Sequence, residues 1–251
     1  MSSVLRGRPW IMRMRWVDLL FAHWRVDVAQ LRPLIPADLE IDTFDGEAYV
    51  GVVPFLMEDV SPRGLPALGS LSRFPEVNVR TYVRHGALDG VWFFSLDAGE
   101  RIAVESARLG FHLPYFHARM TVARDGESVV YRSDRIDRRG RPASLSVRYR
   151  PTGPVTPAAA GSLDAWLTER YRLFAVDGRG RLSTTSIAHR RWPLRPASAE
   201  FDVETLSAAQ GLTLVGPPVH LAFADRLDVR GWWPRALRAG SAEAAQRTPP
   251  R

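Results

Sequence analysis

Along much of the chain, polar and apolar residues alternate with a period of two, the spacing of strands and not of helices. In Phe74–His85, Val77, Val79, Thr81 and Val83 share one face while Glu76, Asn78, Arg80 and Tyr82 share the other. A strand at 91–97 follows across residues 86–90, which read as a hairpin connection. Residues 115–124, 127–136 and 143–150 read as three successive strands. Further strands are expected at 18–26, 39–44, 47–58, 173–176, 182–190 and 219–232, with Asp45-Gly46 and Asp177-Gly178 as turn dipeptides.

Helical signals are few. Asp27 can cap a helix over 28–34 that stops before Pro36, residues 100–109 form a second with Gly110 near its end, and Ser162 caps a third over 163–171. A fourth is expected at 203–209. Pro62, Gly64, Pro66 and Gly69 make residues 61–73 a loop. Hairpins dominate, and the strand–helix–strand rhythm of a doubly wound fold is missing. The expectation is α+β, mainly antiparallel β, with a curled or barrel-like sheet and peripheral helices. Residues 1–238 are expected to form one domain, and 239–251 a small, polar, disordered tail.

Composition removes whole classes of chemistry. With 45% hydrophobic and 24% charged residues the chain is an ordinary globular one. Cysteine is absent, which excludes disulfides, thiolate nucleophiles and Cys-ligated metals. Lysine is absent too, so all 34 basic side chains are arginine. No imine, pyridoxal-phosphate anchor or P-loop lysine is available.

The net charge of +7 raises the question of nucleic acid. The arginines, however, are interleaved with carboxylates, as in Arg132, Asp134, Arg135, Asp137, Arg138 and Arg139, the dressing of a solvated face. No nucleic-acid partner is expected. Arg6, Arg8, Arg13 and Arg15 break any signal-peptide core near the amino terminus, and Pro54 interrupts the longest apolar stretch, 49–57. A cytoplasmic protein without a membrane segment is the expectation.

Dinucleotide-binding, nucleophile-elbow and zinc-protease motifs are absent. Polar faces on apolar strands remain. The first is Glu76, Asn78, Arg80 and Tyr82; the second is Tyr115, His117, Arg119 and Thr121; a weaker third is Ser144, Ser146, Arg148 and Arg150. Each row alone is more simply the wet side of a half-buried strand. The first two nevertheless mix acid, base and hydrogen-bond donor and start at Pro75 and Pro114, as the lining of a polar cavity would. In that reading Arg80 or Arg119 holds a carboxylate through paired hydrogen bonds, with Asn78 and Tyr82 as further ligand contacts, and Glu76, Tyr115 and His117 move protons.

The other histidines carry less. His23 reads as a core residue, His85 as a turn residue, and His189 and His220 as solitary strand residues. His112 and His117 straddle a proline at a poor metal spacing, so neither a metal nor a cofactor is expected.

Several long segments resemble one bacterial family: WVDLLFAHWRV at 16–26, LEIDTFDGEAYVGVVPF at 39–55, FPEVNVRTYV at 74–83, GVWFFSLDA at 90–98, LPYFHARM at 113–120, LTERYRLFA at 167–175 and LDVRGWWP at 227–234. They are similar to the YqjF-like family, a domain of unknown function grouped by fold with acetoacetate decarboxylase. The resemblance implies a curled antiparallel sheet around a central cavity. In the decarboxylase a nucleophilic lysine follows a glycine-aromatic-proline turn after a helix. The similar segment here, residues 110–114, leads into Tyr115, so tyrosine occupies the lysine's place. Glu76 resembles the decarboxylase's cavity carboxylate.

Two readings stand. One is a lyase-, isomerase- or cyclase-type enzyme that works by acid–base chemistry on a small carbonyl or carboxylate compound without a Schiff base. The other is a non-catalytic small-molecule binding protein. Relatives by fold assemble into oligomers, which leaves a homo-oligomer open.

Overall fold

The structure, a computed structural model, describes residues 8–237; the expected tail at 239–251 and the first seven residues lie outside them. The strands are β1 (Met12–Val26), β2 (Glu40–Ile41), β3 (Ala48–Pro62), β4 (Phe74–His85), β5 (Leu88–Ala98), β6 (Tyr115–Asp125), β7 (Ser128–Arg135), β8 (Ser144–Pro151), β9 (Arg172–Val176), β10 (Leu182–Ala188), β11 (Leu194–Glu204), β12 (His220–Gly231) and β13 (Arg235–Ala236). Four helices are α1 (Val28–Leu31), α2 (Arg101–Phe111), α3 (Leu163–Thr168) and α4 (Leu206–Ala209).

All thirteen strands form one sheet, in the order β13-β10-β9-β5-β6-β7-β8-β11-β12-β1-β3-β4-β2. Two extra pairings, β5 with β4 and β10 with β12, bring distant parts of that order together. The sheet therefore curls back on itself twice, through short ladders, and is not a strict barrel. It is mainly antiparallel, as the hairpin signals imply.

This curl creates two apolar interiors that share β1, β3, β4 and β12. Val50, Val52, Val77, Val79 and Phe223 face one, together with Tyr131 and Tyr149. Val53, Phe55, Met57, Leu96, Tyr115 and Trp192 belong to the other. With both faces of β3 covered, its apolar stretch is continuous instead of alternating. β4 differs: its valines enter the first interior, and its polar row turns toward the second.

Local chemistry sets most boundaries. The Glu100 carboxylate accepts from the Ile102 N–H and starts α2. The helix runs past Gly110 to Phe111, whose ring stacks on Trp233, and His112 in the left-handed region (φ 55°) ends it. Ser162 caps α3, which ends at Thr168, short of the expected 171, because β9 begins at Arg172.

Three differences from the sequence pattern have physical reasons. β1 starts at Met12 and not near residue 18, because a bulge at Asp18 (φ 54°) bends one long strand into two paired halves. β5 runs parallel to both β6 and β9, with α2 as the crossover to β6, so one strand–helix–strand unit sits inside the antiparallel sheet. β11 occupies 194–204, where no strand is expected and part of the range reads as helix. Its first residues pair with β12 and the rest with β8, and Pro196 stands where it changes neighbour. No helix among the described residues is long and apolar enough to cross a membrane.

Candidate functional site

The second interior is not filled. A cavity of about 150 Å³ lies between β1, β3, β4, β5, β10 and the Leu113–Tyr115 entry to β6. Its walls are mostly apolar, with Met14, Trp16, Phe55, Phe93, Leu96 and Trp192 prominent. Glu76, Asn78 and Arg80 enter it from successive same-face positions of β4, and Tyr115 meets them from β6.

Glu76 and Tyr115 form a buried pair: the tyrosine hydroxyl donates to Glu76 Oε2 at 2.9 Å. Desolvation pushes the Glu76 carboxyl up from 4.5 to about 8, against the lowering effect of that hydrogen bond. Burial and the neighbouring carboxyl hold the Tyr115 phenol well above its ordinary value. At neutral pH the pair is therefore uncharged and can donate protons.

Arg80 supplies the positive charge. Its guanidinium lies 5.2 Å from the centre of the Phe21 ring and 5.8 Å from that of Tyr82. Nη2 donates weakly to the Tyr82 hydroxyl (3.4 Å) and the Leu167 carbonyl (3.3 Å), and buried Nε has no partner. Among the described residues no carboxylate lies within ion-pair distance of it. Asn78 Oδ1 is likewise buried without a partner. Arg170 and Arg172 also line the cavity, and both have acidic partners: Arg170 Nη1 donates to Asp42 (2.8 Å) and Asp89 (3.3 Å), with its guanidinium over the Trp166 ring and its buried Nη2 unpartnered among the described residues, and Arg172 Nη1 donates to Asp89 (3.5 Å).

Of the residues picked from sequence, Glu76, Asn78, Arg80 and Tyr115 thus meet at one cavity. Tyr82 stands just behind Arg80 and outside the lining, its hydroxyl 2.8 Å from the Leu167 carbonyl and 2.7 Å from His23 Nε2. His117 and Arg119 do not reach the cavity, which corrects their grouping with Tyr115. β6 pairs with β5 only at Tyr115, Phe116 and His117, then leaves to pair with β7 from Ala118 onward. That departure carries His117 to the crossing point, where its N–H donates to Asp137, and leaves Arg119 exposed. The third row behaves as a wet strand face: Ser144, Ser146 and Arg148 bond to Asp134, Asp202 and Asp125.

The tryptophans read as core and cavity-wall material, and Trp16 and Trp192 stand in the lining; sequence reasoning missed Arg170, between α3 and β9, and Thr185 on β10, since no local pattern reports where the curl brings them. It also read His220 as solitary. Paired β1 and β12 set His220 opposite His23, with their Nδ1 atoms 3.0 Å apart.

Comparison with known proteins gives the family and the fold. The family model DUF2071, described as an uncharacterized conserved protein, matches residues 13–228. The chain belongs to the YqjF-like DUF2071 family. It is 44% identical over 223 residues to the uncharacterized protein YqjF of Bacillus subtilis (strain 168), covering 89% of this chain and 91% of that protein. Among solved structures, the DUF2071 chain is similar to acetoacetate decarboxylase from Legionella pneumophila, with TM-score 0.64, 13% identity, and coverage of 94% and 92% of the two chains. It is also similar to the enduracididine biosynthesis enzyme MppR complexed with pyruvate, with TM-score 0.61, 10% identity, and coverage of 94% and 95%. At these identities the likeness establishes an acetoacetate decarboxylase-like fold for this DUF2071 member and nothing further.

Proposed function

We propose that the cavity takes up a small oxo-carboxylate and catalyses proton transfer next to its carbonyl. Arg80 holds the carboxylate, and the Glu76–Tyr115 pair acts as acid and base. The observation that carries this reading is the buried 2.9 Å Glu76–Tyr115 contact in the same small cavity as an arginine with no acidic partner among the described residues.

The chemistry follows from the groups. A carboxyl pushed to about 8 is close to the working pH, where a group that both gives and takes a proton is most effective. Tyr115 donates to it and stabilises the carboxylate when the proton has left. Positions 76 and 80 are roughly 13 Å apart along the strand, and both side chains line the one cavity. A cavity of about 150 Å³ suits a ligand of benzene size, that is, a few carbons. Enolisation, or a dehydration, cyclisation or aldol-type step that begins with it, meets these limits. Without lysine in the chain, no imine carries the reaction.

Deuterium exchange at the carbon beside the carbonyl, followed by proton NMR for pyruvate and longer oxo-acids, tests the proposal whatever product the reaction gives. The expected result is exchange above the buffer rate, lost in Glu76→Gln and restricted to high substrate concentration in Arg80→Gln. Saturable binding without exchange would select the second reading, a binding protein, which the mainly apolar lining favours. If no oxo-acid binds, the carboxylate assignment fails.

A further inference from the structure

Behind Arg80, a line of hydrogen bonds leads from the cavity wall to the surface. Arg80 Nη2 is 3.4 Å from the Tyr82 hydroxyl, which is 2.7 Å from His23 Nε2. His23 Nδ1 is 3.0 Å from His220 Nδ1, and His220 Nε2 is 3.0 Å from Asp164 Oδ1. Exposure rises along the line, from none at His23 to 8% for the His220 side chain and 54% for that of Asp164. Room for the inner ring comes from Gly51 on β3, where a Cβ would lie 2.9 Å from His23 Cδ2 and Nε2.

Two nitrogens 3.0 Å apart share one hydrogen, which fixes the tautomers in each charge state. In the neutral pair Tyr82 donates to His23 Nε2, His23 Nδ1–H donates to His220, and His220 Nε2–H donates to Asp164. One more proton reverses the inner bonds. Tyr82 then donates to the Leu167 carbonyl 2.8 Å away, His23 Nε2–H donates to Tyr82, and His220 becomes an imidazolium donating to both His23 and Asp164. Every donor and acceptor is satisfied in both states, so the pair can hold zero or one added proton without moving a heavy atom.

We infer that capture of an anion at Arg80 is linked to uptake of one proton by the His23–His220 pair, which the exposed Asp164 end exchanges with solvent. The linkage rests on Arg80 being the anion clamp; the pair itself does not. The charged and titratable groups facing it are Arg80 and Tyr82 from β4 and Asp164 from α3, while β3 presents only Gly51. Burial, His220 and then the Arg80 charge hold His23 well below its ordinary value; burial lowers His220 while Asp164 raises it. An anion that neutralises Arg80 removes a charge that keeps His23, and through the shared hydrogen the pair, from taking up the proton. His23 and His220 are positioning residues in this scheme, acting on the ligand through Tyr82 and Arg80.

Calorimetry of pyruvate binding at pH 6, in buffers of differing ionisation heat, reads the linkage directly. Glu76, with its value near 8, is already protonated there and contributes no uptake. His189, which the Arg80 charge also lowers, is removed by His189→Gln. In that background the expected uptake is a substantial fraction of one proton per pyruvate, kept in Glu76→Gln and falling to near zero when His220→Gln is added. Pyruvate binding with no uptake in that background overturns the linkage. Nitrogen-15 NMR of the ligand-free protein gives a separate test. Both imidazoles should titrate below the ordinary histidine range and as one coupled system, the midpoint moving up in Arg80→Gln and down in Asp164→Asn. Independent titration near 6.5 would remove the pair, whether or not pyruvate binds. Failure of pyruvate to bind, with the coupled titration intact, would instead remove the clamp.

Discussion

Arg135 on β7 holds Asp97 on β5 by two hydrogen bonds, of 2.8 and 2.6 Å, with both side chains wholly buried. The Phe116 ring lies 4.2 Å from the same guanidinium, and Phe116 is the β6 residue that pairs with Asp97. Three strands are thereby joined behind the cavity. Because neighbouring side chains on a strand point to opposite faces, fixing Phe116 on this side turns Tyr115 toward Glu76 on the other. Arg135→Met would leave the Asp97 carboxylate buried without a partner. It should cost about 3–5 kcal/mol in urea denaturation. The double variant with Asp97→Asn should recover much of that loss; a double variant as unstable as the single one would show that packing, not charge, is the damage.

Glu76 makes the protein less stable in alkali. Its carboxyl titrates near 8 when folded and near 4.5 when unfolded, so the folded state binds the extra proton between those values. Stability is then greatest below about pH 4.5, as far as this group is concerned, and falls as pH rises through 8. Glu76→Gln keeps a group able to bond Tyr115 and removes the charge. The variant should match the parent near pH 5 and exceed it at pH 9 by a margin on the order of 4 kcal/mol. Urea melts at the two pH values measure the difference, and equal stabilities at pH 9 would mean the carboxyl is not desolvated.

Tyr115→Phe separates proton transfer from binding. The substitution keeps the ring in the cavity wall and deletes the hydroxyl that is 2.9 Å from Glu76. Deuterium exchange of oxo-acids should fall about 10²- to 10⁴-fold. Carboxylate affinity, set by Arg80, should change less than about threefold, since no bond to the charged end is lost. The acid limb of the exchange profile should also move upward, because Glu76, the base, loses a hydrogen bond that favours its ionised form.

The β4 row was legible because a strand with opposite chemistry on its two faces states its alternation plainly, and Glu76, Asn78 and Arg80 follow it into the cavity. Tyr115 was legible for the same reason, but only for one residue. Its companions His117 and Arg119 obey the same alternation on a strand that changes partners, and no residue in 115–121 reports that change. β11 was hidden because Pro196 and its small residues give no clean period, while its pairing with β8 and β12 is decided by the curl of the whole sheet. The His23–His220 contact joins positions 197 residues apart and depends on a register that neither strand encodes alone. Chemistry carried on one strand could thus be read in advance; chemistry assembled between strands could not.

Two glycines separate backbone strain from close packing. At Gly90, which begins the stretch of β5 lying parallel to β9, an added Cβ would sit 2.8 Å from the Arg172 carbonyl oxygen and 2.8 Å from Phe174 Cε2. The ring can shift, but the carbonyl belongs to a paired strand, so Gly90→Ala must push β9 away from β5. At Gly46, in the turn before β3, nothing lies within 4 Å, and the positive φ of 83° is the sole reason for glycine. Gly46→Ala should cost about 1 kcal/mol and leave ligand affinity alone. Gly90→Ala should cost about 1–3 kcal/mol and also weaken oxo-acid binding, because Val91, Arg172 and Leu173 all line the cavity. Denaturation and calorimetry on both variants check the pair. Unchanged affinity in Gly90→Ala would mean that the β5–β9 contact supports the fold without shaping the cavity.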